Sequence, residues 1–198
     1  MDVVCLDLEG VLIPEIWLNL AERSGISELK RTTRDEPDYN KLMAGRLEIL
    51  RRHGLGISDI QDVISHLEPL PGAADFLEKL RQERQVIILS DTFNQFAKPL
   101  MKQLDWPTLF CNDLEIDSTG EVKNFHLRQE NGKLNAVRAF QSMNLKVLAA
   151  GDSYNDLNMI LHADKGAFFL PPEQITREHP EIPVFHEYPD FLDFILSS

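Results

Sequence analysis

Five short apolar runs, Asp2–Leu6, Gln85–Leu89, Thr108–Cys111, Lys146–Ala150 and Gly166–Leu170, are separated by stretches with helical spacing. Each run has the length of a strand, and several are nearly continuous in Val, Ile, Leu, Ala and Phe, as strands buried on both faces are. Between them, Ala73–Arg84 turns Ala74, Leu77 and Leu80 to one side with charges on the other, and Gln95–Leu104 and Leu134–Met143 repeat the pattern. This alternation predicts an α/β fold with a mainly parallel central sheet flanked by helices. Ligand sites in such sheets lie beyond the carboxyl ends of the strands.

One stretch breaks the alternation. From about Pro14 to Leu70 the pattern is helix upon helix: Glu15–Ser24 before Gly25, Tyr39–His53 before Gly54 and Gly56, and Ser58–Leu67 before Pro69 and Pro71. Ser58 with Gln61 reads as a capping box. We expect a helical insertion over the sheet rather than an independent domain. A second irregular segment, Leu114–Arg128, alternates apolar and polar residues around Asp117-Ser118-Thr119-Gly120 and reads as a β-hairpin.

The chain of 198 residues is long enough for one ordinary core plus such an insertion. Its 32 acidic against 20 basic residues leave a net charge of −12, which argues against an electrostatic nucleic-acid surface. No apolar run approaches the roughly 20 residues of a membrane helix. The start, Met1-Asp2-Val3-Val4-Cys5, has an acid where a signal peptide would be basic. Cys5 and Cys111 form no CxxC and read as buried thiols, so the expected location is the cytoplasm.

Chemistry-bearing residues gather where strands end. Asp7-Leu8-Glu9-Gly10-Val11 follows the first strand, and an extended chain puts Asp7 and Glu9 on one face. Gly151-Asp152-Ser153-Tyr154-Asn155-Asp156 follows the strand Lys146–Ala150, with Asp152 a candidate cap for the helix that begins near Asn155. Two such acidic clusters repel unless a cation lies between them, and hard oxygen ligands favour Mg²⁺. Ile88-Leu89-Ser90-Asp91-Thr92 offers a hydroxyl and backbone N–H groups at a helix N-terminus, sized for a phosphate or for an ordinary cap. Lys133 opens the helix before the last acidic cluster; alone it reads as solvated surface.

Taken in order, Asp at the first strand, Ser at a second, a lysine, then GDxxxD resemble the haloacid dehalogenase superfamily. The insertion falls where that family carries a C1-type cap. Within it the chain is similar to the phosphoserine phosphatases, most closely the bifunctional phosphoserine phosphatase/homoserine phosphotransferase type. The similarity is carried also by Thr32-Thr33-Arg34-Asp35, Ser90-Asp91-Thr92-Phe93 and Leu127-Arg128-Gln129.

The resemblance implies a Rossmann-like core of residues 1–13 and 75–198 with a cap of residues 14–74. It implies Asp7 as nucleophile, Glu9 as general acid and base, and Mg²⁺ held by Asp7, the Glu9 carbonyl and Asp152, with Asp156 a ligand or close behind. Ser90, Asp91, Lys133 and Asn155 would meet the phosphoryl group. In the cap, Glu15 would face the substrate's amine, Arg46 its carboxylate, and Tyr39 would wall the pocket. Taken singly, Glu15 is a helix-start acid, Arg46 a surface partner and Tyr39 core. The expected substrate is O-phospho-L-serine, with water and homoserine as acceptors, for a monomer or homodimer without nucleic-acid or membrane partners. Glu9 departs from the Asp most of the superfamily carries. The other readings are a phosphatase for another small phosphomonoester, a receiver-like signalling module, which would lack an insertion after its first strand, and a non-catalytic binding protein.

Overall fold

A computed structural model describes residues 2–32, 35–36 and 38–197. Strand β1 (Asp2–Leu6) runs between β2 (Gln85–Phe93) and β5 (Lys146–Gly151), parallel to both. Beyond β2 come β3 (Thr108–Ile116), parallel, and β4 (Val122–His126), antiparallel; beyond β5 come β6 (Lys165–Phe169) and β7 (Val184–Phe185), both parallel. The chain therefore builds one flank of the sheet from β2 to β4 and the other from β5 to β7. The order reverses beside β1, which leaves a crevice at that strand's carboxyl end.

Helices α1 (Ile16–Ser24), α2 (Tyr39–His53) and α3 (Ile57–Ser65), with a 3-10 turn at Ser27–Lys30, lie between β1 and α4 (Ala73–Glu83). They are followed by α5 (Asn94–Gln103), α6 (Gly132–Ser142), α7 (Tyr154–His162), α8 (Glu173–Glu178) and α9 (Tyr188–Leu196). Successive β1 side chains go to opposite faces, as a pleated strand requires. Val4 and Leu6 join an apolar cluster with Phe76 of α4, Phe96 of α5 and Phe191 of α9. Val3 and Cys5 join another with Val137 of α6, Met159 of α7 and Ile175 of α8. Trp17, Leu20, Met43, Ile60 and Ile64 of the insertion belong to the first cluster, so insertion and sheet share one core.

The expected α/β class, parallel sheet and β3–β4 hairpin are present, and several boundaries move. β2 runs on to Phe93 because its burial continues through Ser90 and Thr92, and β3 runs on to Ile116 because its alternating half, with Asn112 and Leu114 buried and Asp113 and Glu115 exposed, pairs with β4. Between Leu89 and Phe93 the β2–β3 register shifts, so Ser90-Asp91-Thr92 bulge out of the ladder rather than opening a helix, and α5 begins only at Asn94. The Ser58/Gln61 capping box does not form: α3 starts one turn-edge earlier, with Gly56 at the cap and Asp59 accepting its N–H at 2.8 Å. The sequence-drawn limit at 74/75 falls inside the first turn of α4. Cys5 and Cys111 are free thiols. Thr33 and Arg34 lie outside the described residues. No helix among the described residues is long and apolar enough to cross a membrane.

Candidate active site

Asp7 continues the β1 ladder by one bond, its N–H donating to Ala150 at 2.9 Å, and this brings its carboxylate to the crevice. The residue is 4% exposed. Its Oδ1 accepts from the Leu8 N–H at 2.8 Å and lies 2.8 Å from Lys133 Nζ. Lys133, in the first turn of α6, sets that buried ammonium between Asp7 and Asp156, whose Oδ1 is 2.7 Å away. Asp91 Oδ2 stands farther off, at 4.0 Å.

Asp156 holds the opposite side. Its Oδ2 accepts the N–H groups of Asp152 and Ser153, each at 3.1 Å. Ser153 occupies the cap position of α7 and Asp156 the third helical position, so the cap assigned to Asp152 belongs to these two residues. That leaves the half-buried Asp152 carboxylate available to face Asp7. Two glycines make the fit possible. A Cβ at Gly151 would lie 2.1 Å from the Asp156 carboxyl carbon, and one at Gly10 would lie 2.5 Å from that of Asp152. Gly10 also takes φ +77°, a region that L side chains resist.

Electrostatics show what this cluster lacks. Burial opposes the Lys133 charge, but Asp156, Asp7 and Asp91 outweigh it and hold the ammonium well above the ordinary lysine range. Burial, reinforced by Asp156 and Asp152, pushes Asp7 well up despite Lys133. Burial and Asp156 push Asp152 up to about 7. Three carboxylates share a single ammonium, and Asp7, Asp152 and Asp156 each present an oxygen within 4.8 Å of the others. An all-oxygen set short of positive charge suits a hard divalent cation.

Glu9 faces the insertion. Its Oε2 accepts the N–H of Ile16, the first residue of α1, at 2.9 Å, and the Thr92 side chain also bonds it. Burial and the neighbouring Glu15 charge push Glu9 up to about 8. Ser90 is buried, and its Oγ accepts the Thr92 N–H at 3.2 Å across the bulge. The Asp91 carboxylate accepts from Asn155 Nδ2 at 3.1 Å, and its carbonyl accepts from Tyr39 Oη at 3.0 Å and Asn112 Nδ2 at 3.1 Å. A small open pocket lies here, with Ser90, Asp91, Asn112, Arg128 and Lys133 on its wall.

The structure thus brings Asp7, Glu9, Ser90, Asp91, Lys133, Asp152, Asn155 and Asp156 to one crevice. Of the three insertion residues, Tyr39 ties α2 to the Asp91 carbonyl. Glu15 is exposed at the start of α1 and makes no cap hydrogen bond there. Arg46 is buried against the Trp17 ring, 4.5 Å from its centroid. Burial pulls its guanidinium down to about 10 although Tyr39, Glu9 and Glu15 all favour its charge. His53 and His66 are on the surface, as expected. Asn112 was not legible as a site residue, and Thr92 stood in the Ser90 motif without a role of its own. Asn112 carried one signal, a strand-averse amide at the end of an apolar run.

Residues 1–164 match the model of the haloacid dehalogenase-like hydrolases. The chain belongs to the haloacid dehalogenase-like hydrolases. Along its full length this haloacid dehalogenase-like hydrolase is 53% identical to phosphoserine phosphatase ThrH of Pseudomonas aeruginosa, of which it spans 97%. It is 50% identical to a phosphoserine phosphatase of Pseudomonas syringae pv. tomato, spanning 84%. The fold of the hydrolase also resembles a solved structure described as a phospho-aspartyl intermediate analogue of phosphoserine phosphatase, with TM-score 0.79, 18% identity and 98% of each chain covered.

Proposed function

We propose that this hydrolase removes the phosphoryl group of O-phospho-L-serine through an aspartyl-phosphate on Asp7, and passes it to water and to homoserine. The observation that carries the reading is the placement of Asp7: a buried carboxylate at the mouth of the crevice, with Lys133 on one oxygen and Glu9 two residues on. The names of the relatives at 53% and 50% identity support the substrate.

In the first step an Asp7 oxygen attacks phosphorus in line, and the bond to the serine oxygen breaks. Glu9, pushed up to about 8, is protonated at neutral pH and gives that proton to the leaving oxygen. In the second step the Glu9 carboxylate takes a proton from water or from the homoserine hydroxyl. The oxygen so exposed attacks phosphorus, and Asp7 departs as carboxylate. Lys133, Ser90, Asn155 and the Asp91 N–H hold the phosphoryl oxygens, where Lys133 offsets the negative charge that develops.

Asp7, Asp152 and the Glu9 carbonyl would hold Mg²⁺, with Asp156 keeping Lys133 and the α7 start in place behind them. The fit rests on the unmatched charge of the three carboxylates and the room Gly10 leaves for Asp152. When bound, the ion shields the charge of Asp7 from that of the incoming phosphate. In this reading residues 14–74 cap the core of residues 1–13 and 75–198, and Glu15 and Arg46 receive the ammonium and carboxylate of the substrate.

Incubation with phosphoserine and Mg²⁺, with and without homoserine, should release phosphate in the first case and also form phosphohomoserine in the second. Absence of both products refutes the substrate, and activity that survives Asp7→Asn refutes the mechanism.

A further inference from the structure

We infer that Trp17 is a positioning residue that makes the site selective for carboxylate-bearing substrates by fixing the plane of Arg46. The inference rests on the phosphoserine reading above. Arg46 spends its donors unevenly. Nη2 donates to the Arg31 carbonyl at 2.8 Å, and Nη1 makes a weak 3.8 Å contact with Met43 Sδ. Nε has no partner, and it is the only fully buried side-chain nitrogen or oxygen without one among the described residues. A buried N–H without an acceptor is costly, so such groups are rare unless a ligand completes them. Around it lie Glu9, Glu15 and Tyr39, the groups that border the proposed substrate pocket.

A guanidinium grips a carboxylate with two parallel N–H bonds only when the two planes coincide. Arg46 is long and flexible, so something must hold its plane. The Trp17 ring does this from one side, at 4.5 Å. Trp17 is itself only 8% exposed and meets Phe96 edge-on at 5.4 Å, and Phe96 meets Phe93 at 5.5 Å. Phe93 ends β2, the strand that carries Ser90 and Asp91. The chain of rings therefore references the carboxylate-binding plane to the strand that faces the phosphoryl group. An aliphatic residue would keep the contact apolar but, lacking a ring face, would leave the guanidinium free to turn.

The test compares O-phospho-L-serine with O-phosphoethanolamine, which keeps the phosphoryl and ammonium groups and lacks the carboxylate. Wild-type protein should prefer phosphoserine. Trp17→Leu should cut that preference about tenfold, the effect of a desolvated cation–π contact, through a higher KM for phosphoserine. Its kcat, and its turnover of phosphoethanolamine, should stay near wild type, while Trp17→Phe should restore most of the preference. A Trp17→Leu protein that keeps the wild-type preference, or loses both substrates equally, overturns the role of Trp17 and leaves the phosphoserine reading standing. A wild-type protein without preference overturns the phosphoserine reading and this inference with it.

Should Trp17→Leu fail to fold, Trp106→Phe serves, because the chain has two tryptophans and Trp106 is 57% exposed, away from the site. The remaining Trp17 emission should respond to L-serine and not to ethanolamine. Equal responses, or none, overturn the inference.

Discussion

Glu9 spans the gap to the first amide of α1 with the methylene that sets it apart from aspartate. Glu9→Asp draws the carboxylate back by about one bond length, enough to lose the bond to the Ile16 N–H and to misplace a proton-transfer group. We expect the ratio of phosphohomoserine to phosphate to change in this variant, and an unchanged ratio refutes the idea that Glu9 sets acceptor choice. Asp152 illustrates a different cost. Its ordinary value of 3.8 is raised to about 7 in the fold, so without a cation the native state loses stability as pH rises between those values. Asp152→Asn should therefore raise Tm at pH 7.5 in the absence of metal and abolish the Tm rise that Mg²⁺ gives the wild type. A lower metal-free Tm would show that the carboxylate is not strained there.

Among the elements, the start of α7 carries two tasks at once. Asp156 is wholly buried, accepts the Asp152 and Ser153 amides with one oxygen and binds Lys133 with the other. Asp156→Ala leaves those amides unpaired and the ammonium short of a partner, a loss of about 3–5 kcal/mol. Denaturant unfolding should register it, and Asp156→Asn, which still accepts hydrogen bonds, should lose less. Gly151→Ala should be as damaging as Asp156→Ala, because its Cβ would displace the same carboxylate. The bulge in β2 is the other element on which the site depends. With Ser90-Asp91-Thr92 out of the ladder, the Asp91 carbonyl is free to accept from Tyr39 and Asn112.

Across the whole molecule the insertion is bound to the sheet at several points. The Ile57 N–H donates to the Gly120 carbonyl at the hairpin tip at 2.8 Å. Gln61 Nε2 donates to the Gln95 carbonyl, and Gln95 bonds both the N–H and the carbonyl of Leu114. Ile60 and Ile64 complete the shared apolar cluster. Residues 14–74 should therefore unfold together with the rest. Trp17 emission in the Trp106→Phe protein and far-ultraviolet dichroism should report one coincident transition. Ile64→Ala should lower that single transition by about 2–5 kcal/mol. Two separated transitions would refute this unity.

The sequence by itself determined that acids and a serine stand at the ends of parallel strands, with a lysine opening a helix between them in chain order, and hence the layered fold and the residues proposed for its crevice. Periodicity and strand ends are local properties, written within a few residues of each side chain. Only the tertiary structure decided that Ser90 lies in a bulge, that Asp156 caps α7 while binding Lys133, and that Arg46 lies over the Trp17 ring with its Nε unpaired. Each of these depends on which strand lies beside which and on how α1 and α2 meet over the sheet. No spacing along the chain encodes the distance between residues that only packing brings together.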